Sequence, residues 1–459
     1  MSHHAIWIST ALLWVTSASA TPPEAPPNLL LITIDTLRRD HCSVYGYVHD
    51  TTPYLRGIAE QGARFDLAYA PAPSTAPTHA SILTGLYPPT HRLIQNGLDL
   101  GESNQTLAEI LAAQQYQTAA VVSSFVLHSQ FGFDQGFAHY EDDFEASEST
   151  ARLEAWEGHA VAAGFDRPAD AATRRAIRWL WEERDPKRPF FLFVHYFDPH
   201  APYRAPRPYD RRFPAPGPDP GAGPPGSLAF GESVRNYDGE IAFTDREIGR
   251  LLESLERLGL ADHTLLVVTA DHGEGLMDHG HMGHGLSLHE ELLRVPLLLR
   301  WPGQILPGRR YAEPVELVDI VPTVVDLIGA TRVANRFQGR SLAAWLRGQR
   351  SPEPNRPVYW VRRPFTKDFV EGIRVKGSLS GVRQGKWKLV EATEPPRREL
   401  YDLETDPRER VNRLHDRPDV AARLGDVLAE WRRGQPAAGP ASGLSDPVRR
   451  ALQALGYVE

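Results

Sequence analysis

Three apolar runs in this chain end in side chains that bind cations or move protons. Residues 28–34 lead into Asp35-Thr36, residues 190–194 into His195-Tyr196-Phe197-Asp198-Pro199-His200, and residues 264–269 into Asp271-His272-Gly273. An acid directly after a buried strand has little structural purpose, because burying an unpaired charge is costly. A metal ion that neutralises several carboxylates at once removes that cost. A helix cap or a surface turn explains any one of these residues alone. Three strands ending alike point instead to a site built beyond the carboxyl ends of a sheet.

Two further stretches supply complementary groups. In Pro73-Ser74-Thr75-Ala76-Pro77-Thr78-His79 a turn runs into a helix start. A hydroxyl at a helix N-terminus sits where the macrodipole favours an alkoxide and an anionic ligand. A glycine-rich loop then carries His279, His281, His284 and His289 shortly after Asp271-His272. Histidines beside acids in such a loop indicate a metal or an anion, solvated side chains being the plain alternative. His284, between Gly283 and Gly285, is the strongest candidate of the four.

These groups need rigid elements behind them. Residues 28–34 are apolar on both faces, as a strand covered by helices on both sides must be, and similar runs recur at 118–122, 190–194, 264–269 and 295–299. Between them Leu107, Ile110 and Leu111 mark a helix, as do Ile177, Leu180 and Trp181. Ile241, Ile248, Leu251, Leu252, Leu255 and Leu258 mark a longer one. The alternation predicts an α/β fold: a large, mostly parallel sheet sandwiched by helices. The Pro- and Gly-rich residues 205–227 leave that pattern as a surface excursion, passive or lid-like.

After Gly329 the character changes. A Gln384-Gly385 turn precedes an alternating strand, Leu400-Tyr401-Asp402-Leu403 follows, and helical patterns occupy 420–431 and 448–455. This predicts a smaller C-terminal antiparallel α+β domain at 333–459, behind a catalytic domain at 28–332. Trp387 is expected to pack on the main sheet while Lys386 and Lys388 reach solvent.

Composition sets outer limits. The 459 residues are 41% apolar and 24% charged, a globular balance. Lys and Arg number 50 against 58 Asp and Glu, a net charge of −8, which argues against a nucleic-acid partner but not against a small anion. The single Cys42 closes no intramolecular disulfide and builds no cysteine zinc site. The apolar run at 5–15, ending in Ala18-Ser19-Ala20, is too short to span a bilayer. It predicts a signal peptide at 1–20, cleaved near Ala20, and a periplasmic or secreted product with no membrane span. Its flank departs from the usual pattern in carrying His3 and His4 but no Lys or Arg.

The order and spacing of residues 31–40, 75–88, 197–203, 269–275, 295–303 and 400–407 resemble a sulfatase, within the alkaline phosphatase superfamily. The resemblance covers nearly the whole chain after the leader. It implies a hydrolase of sulfuric or phosphoric esters, acting on a small or glycan-borne substrate. It implies Asp35, Asp271 and His272 as ligands of a divalent metal, with Thr36 where many sulfatases have a second aspartate. Calcium follows from the family, with magnesium, manganese and zinc left open. Thr75 aligns with the nucleophile, and His79 stands where sulfatases usually carry an arginine. Asn96 resembles an amide that bonds a transferring-group oxygen. His200 and His284 resemble groups touching the ester oxygens and leaving group.

Thr75 is the main departure from the family. Sulfatases carry a cysteine or serine there, which matures to formylglycine; threonine does not, so no formylglycine is expected. A lysine motif expected near residue 123 is replaced by Ser123-Ser124. A threonine nucleophile belongs to the phosphodiesterase branch, which holds two metals; here Asp198, with His200 and His284, is the candidate second site. A phosphodiesterase or phosphonate hydrolase, a silent anion- or glycan-binding relative and a group transferase therefore stand as alternatives to a sulfatase.

Overall fold

Every position of β1 (Asn28–Ile34) is buried, as its uninterrupted apolar run requires. In this computed structural model residues 26–144, 165–215, 228–330, 333, 337–370 and 372–436 are described. The expected leader, residues 216–227 and the helical pattern at 448–455 lie outside them.

Five more strands precede the site loop: β2 (Ala63–Tyr69), β3 (Gln117–Val121), β4 (His139–Glu141), β5 (Phe190–Tyr196) and β6 (Thr264–Ala270). The short pair β7 (Gly275–Leu276) and β8 (Met282–Gly283) lies within that loop, and β9 (Arg294–Arg300) and β10 (Arg309–Glu316) follow it. The main sheet runs β10-β2-β9-β6-β1-β5-β3-β4, with β1 parallel to both neighbours. Register then fixes the site. Ile34 stands level with Tyr196 on one side and Ala270 on the other, so Asp35 and Asp271 leave the sheet at the same edge.

The run at 295–299 is a strand, but β9 pairs antiparallel with β6 and β2. The chain between β6 and β9 contains no long crossover helix, and a parallel neighbour needs one. The sheet is mixed and mostly parallel. Strands β2, β4 and β10 lie outside the expected runs; β10 is an edge strand interrupted by Pro314, which gives no apolar signal.

The helices are α1 (Pro53–Gln61), α2 (Thr75–Thr84), α3 (Pro88–His91), α4 (Leu107–Ala112), α5 (Ala169–Arg178), α6 (Leu228–Arg257), α7 (Glu290–Leu293), α8 (Ile320–Ile328), α9 (Ala343–Leu346) and α10 (Pro418–Arg433). All ten residues of α2 are buried. Tyr237 of α6 donates its hydroxyl to the Thr36 carbonyl at 2.7 Å and accepts the Arg38 N–H at 2.9 Å, pinning the turn after β1.

The second sheet, in the order β11 (Val358–Phe365), β14 (Gly377–Gln384), β15 (Trp387–Thr393) and β16 (Pro396–Asp402), is antiparallel; β12 (Phe369–Val370) and β13 (Ile373–Arg374) form a hairpin beside it. Leu342, Ala343, Trp345 and Leu346 pack in the main core, beyond the expected boundary at 332. Two side chains differ from expectation. Trp387 packs with α10 rather than with the main sheet. Lys388 is fully buried between Glu290 (3.1 Å) and Glu409 (2.8 Å), because two carboxylates there satisfy a cation that would otherwise seek water. No described helix is long and apolar enough to cross a membrane.

Candidate active site

Asp35 and Asp271 are both fully buried at the strand ends. Asp271 Oδ1 accepts the N–H of Thr36 at 3.2 Å and of His272 at 2.8 Å. Asp271 Oδ2 and both oxygens of Asp35 are buried without a hydrogen-bond partner. Burial first, and the Asp271 charge second, push the Asp35 carboxyl well above its usual range. Asp271 moves the other way: burial would raise it, but His272, His79 and His195 outweigh burial. Two acids in this state call for a cation, and Asp35, Asp271 and His272 bring ligand atoms within 4.8 Å of one another.

His272 donates Nδ1–H to the Gly273 carbonyl at 2.8 Å, which leaves the Nε2 lone pair facing the cluster. The Thr75 hydroxyl lies 3.2 Å from that nitrogen. A side chain on Gly273 would collide with the Glu291 carbonyl, so only glycine lets the loop pass here. Thr36, at φ 54°, keeps its buried Oγ1 without a partner beside the acids.

Thr75 is the first residue of α2. The helix start is held by Asn96, whose Oδ1 accepts from Ala76 N at 2.9 Å and Ser74 Oγ at 3.2 Å. His79, one turn on, donates Nδ1–H to the Thr75 carbonyl at 2.9 Å and accepts from Thr33 Oγ1 at 2.9 Å. Burial lowers its pKa to about 3, so it stands neutral. His200 and His284 come together with His272: the His284 ring is 4.4 Å from His272 and 5.1 Å from His200. Burial lowers His200 to about 3.

Glu274 carries no sequence signal, yet it is fully buried and holds His284 Nδ1 at 3.1 Å. Burial would raise its pKa, but His284 lowers it. His195 was named only as part of a strand end; its Nε2 lies 3.6 Å from Asp35 Oδ2.

Asp198 does not join His284. Its Oδ2 accepts the Ala169 N–H at 2.7 Å, which spends the carboxylate on the start of α5. Among the described residues neither Asp198 nor His284 belongs to a cluster of three metal-binding side chains. His79 and His195 group with Asp271 instead. The histidine loop divides as well: His279 and His289 stack at 3.6 Å beside Glu291, away from Thr75.

Comparison with known proteins bears on the family and the fold. The sulfatase family model matches residues 27–330, and that of the N-sulphoglucosamine sulphohydrolase C-terminal region matches 278–433. An arylsulfatase of Clostridium perfringens is 26% identical over 451 residues, covering 85% of this chain and 90% of that protein. A structure solved with D-glucosamine-2-N,6-O-disulfate superposes with a TM-score of 0.76 at 22% identity, covering 91% of this chain and 100% of the other. A phosphonate monoester hydrolase of Agrobacterium radiobacter superposes with a TM-score of 0.73 at 24% identity, over 89% and 96%. With two thirds of its length matched by one family model, the chain belongs to the sulfatases, sulfuric ester hydrolases of the alkaline phosphatase superfamily.

Proposed function

We propose that this sulfatase is an exported, metal-dependent hydrolase of sulfate or phosphate esters with Thr75 as its covalent nucleophile. One observation carries the reading: the Thr75 hydroxyl, at the start of a buried helix, lies 3.2 Å from Nε2 of His272, which itself clusters with two buried acids that have unpaired oxygens. Asp35, Asp271 and His272 would hold the cation, with Thr36 beside them; calcium is the family's expectation. A bound divalent cation supplies positive charge that eases deprotonation of a hydroxyl and offsets charge on ester oxygens.

The chain's own groups then divide the work. Thr75 Oγ attacks sulfur or phosphorus, forming a threonyl ester as the bond to the organic oxygen breaks. The proton that Thr75 gives up would pass by way of His284 Nε2, open because Nδ1–H donates to Glu274, to that oxygen as it leaves. Water then attacks the threonyl ester and returns the proton to Thr75. Asn96 spends its Oδ1 on the helix start, so its amide N–H groups remain for an oxygen of the transferring group. His200 lines the leaving-group side, and His79 holds the first turn of α2 against Thr33.

Sulfate esters follow from family membership. Phosphodiesters and phosphonate monoesters are the second reading, favoured by a threonine that has no aldehyde-forming exit from a sulfate intermediate. Elemental analysis of the purified protein, combined with a panel of aryl sulfate, phosphate, phosphonate and diester substrates, tests both. No stoichiometric metal and no turnover would leave a silent anion-binding protein. We further read a catalytic unit ending after α9 and a smaller unit behind it. Export rests on the apolar run at 5–15 and Ala18-Ser19-Ala20, and the N-terminal mass of the secreted product checks it.

A further inference from the structure

The two buried acids are not held alike. Asp271 has one oxygen fixed by two backbone N–H groups and the other open. Asp35 has no such anchor on either oxygen. What faces Asp35 Oδ2 is His195 Nε2, at 3.6 Å on a fully buried ring, and neither atom has a hydrogen-bond partner. The opposite nitrogen settles which way the ring is protonated. The Ser123 backbone N–H reaches His195 Nδ1 at 3.3 Å, and a backbone N–H only donates, so Nδ1 carries the lone pair. The ring's one proton therefore sits on Nε2, aimed at Asp35.

We propose that His195 is a positioning residue whose Nε2–H is the partner of Asp35 Oδ2 in the metal-loaded protein, leaving Oδ1 as the oxygen that Asp35 would offer to a cation. The remaining distances suit that division. Asp35 Oδ1 lies 3.8 Å from His272 Nε2, Asp271 Oδ2 lies 3.5 Å from it, and Thr75 Oγ1 lies 3.2 Å from it. Each acid would then offer one oxygen to a compact set: Asp271 has its other oxygen held by two backbone N–H groups, and Asp35 has its other oxygen faced by the unpaired Nε2–H of His195. Outer partners of this kind orient a ligand and raise metal affinity about 10–100-fold. The assignment also excludes His195 as a ligand itself, because the nitrogen facing the cluster is the protonated one.

The inference rests on the metal-dependent reading above, and the test separates the two. Calorimetric titration of metal-stripped protein with Mn2+ would compare wild type with His195→Gln, which keeps an N–H at the same depth, and His195→Leu, which does not. Gln should bind within about threefold of wild type and Leu about 10–100-fold more weakly. Equal affinity in Leu and wild type, or equal loss in Gln and Leu, overturns the role of the N–H. Failure of wild type to bind Mn2+, Ca2+ or Zn2+ overturns the metal reading and this one with it. If His195→Leu does not fold, nitrogen NMR of 15N-histidine wild type loaded with Zn2+ decides. A protonated Nε2 on His195 supports the proposal, and a metal-bound Nε2 overturns it.

Discussion

Thr75 Oγ1 stands 3.2 Å from Nε2 of His272, a residue 197 positions further along the chain. Sheet register is what brings them together, since β6 delivers His272 to the edge that α2 covers. Thr75→Ala should abolish turnover of the best aryl ester by at least about 10³-fold while the unfolding midpoint stays near wild type. Thr75→Ser should retain measurable activity, because the hydroxyl keeps its place. Steady-state kinetics with circular dichroism checks both, and unchanged turnover in Thr75→Ala removes the nucleophile.

Asp35→Asn should separate metal binding from apoprotein stability. Burial and then Asp271 raise the folded pKa of Asp35, so its stabilising contribution is complete below about pH 4 and is lost as pH rises through the folded value. In chelator the variant should melt higher than wild type at pH 8, with the gap closing toward pH 4. Added divalent metal should raise the wild-type midpoint and leave the variant's unchanged. Thermal unfolding with and without chelator at several pH values reads all three outcomes.

Lys388→Met should be among the most destabilising single changes. The ammonium is fully buried between Glu290 and Glu409 and lies 4.8 Å over the Trp360 ring. Burial already raises Glu409 to about 7, and removing the cation leaves two facing carboxylates. A loss of about 3–5 kcal/mol in urea unfolding is expected.

His279 and Glu291 supply a pH-dependent clasp at 2.7 Å. Burial alone would lower His279, but the hydrogen bond and charge of Glu291 raise it; burial alone would raise Glu291, but His279 lowers it. The raised histidine contributes fully below about pH 6.5 and fades as pH climbs through its folded value; the lowered acid contributes above about pH 4.3 and fades as pH falls. His279→Gln should therefore cost most stability near pH 5.5 and least near pH 8, as denaturant unfolding at the two values would show.

What the residues disclosed in advance follows from how each signal is encoded. Strands β1, β5 and β6 are continuous apolar runs, so their ends, and with them Asp35 and Asp271, could be found by reading. Thr75 was legible through its turn-helix context. Glu274 and Tyr237 were not, because a buried acid or phenol acquires meaning only from a partner: His284 for one, the Thr36 carbonyl for the other. Asp198 misled for the same reason, since its partner is a backbone N–H at Ala169, invisible in sequence. Lys388 misled because two acids, 98 residues upstream and 21 downstream, close over it.

Charge at the site bears on which esters react. Among the described residues, the side chains placed here around Thr75 include no lysine or arginine: His79 is neutral, and Arg38, after β1, is buried and paired with Asp40 at 2.8 Å and Asp278 at 2.6 Å. A divalent cation there would be offset by Asp35 and Asp271, leaving the dipole of α2 and the Asn96 amide as the surplus attraction. That surplus suits one negative charge better than two. Aryl sulfates, phosphodiesters and phosphonate monoesters, each singly charged near pH 8, should show kcat/KM at least about tenfold above the doubly charged aryl phosphate, a difference of about 1.4 kcal/mol. Introducing a cation through His79→Arg should narrow that ratio by raising kcat/KM for the phosphate monoester. Preference for the doubly charged ester in the unaltered enzyme would mean that another cation reaches Thr75.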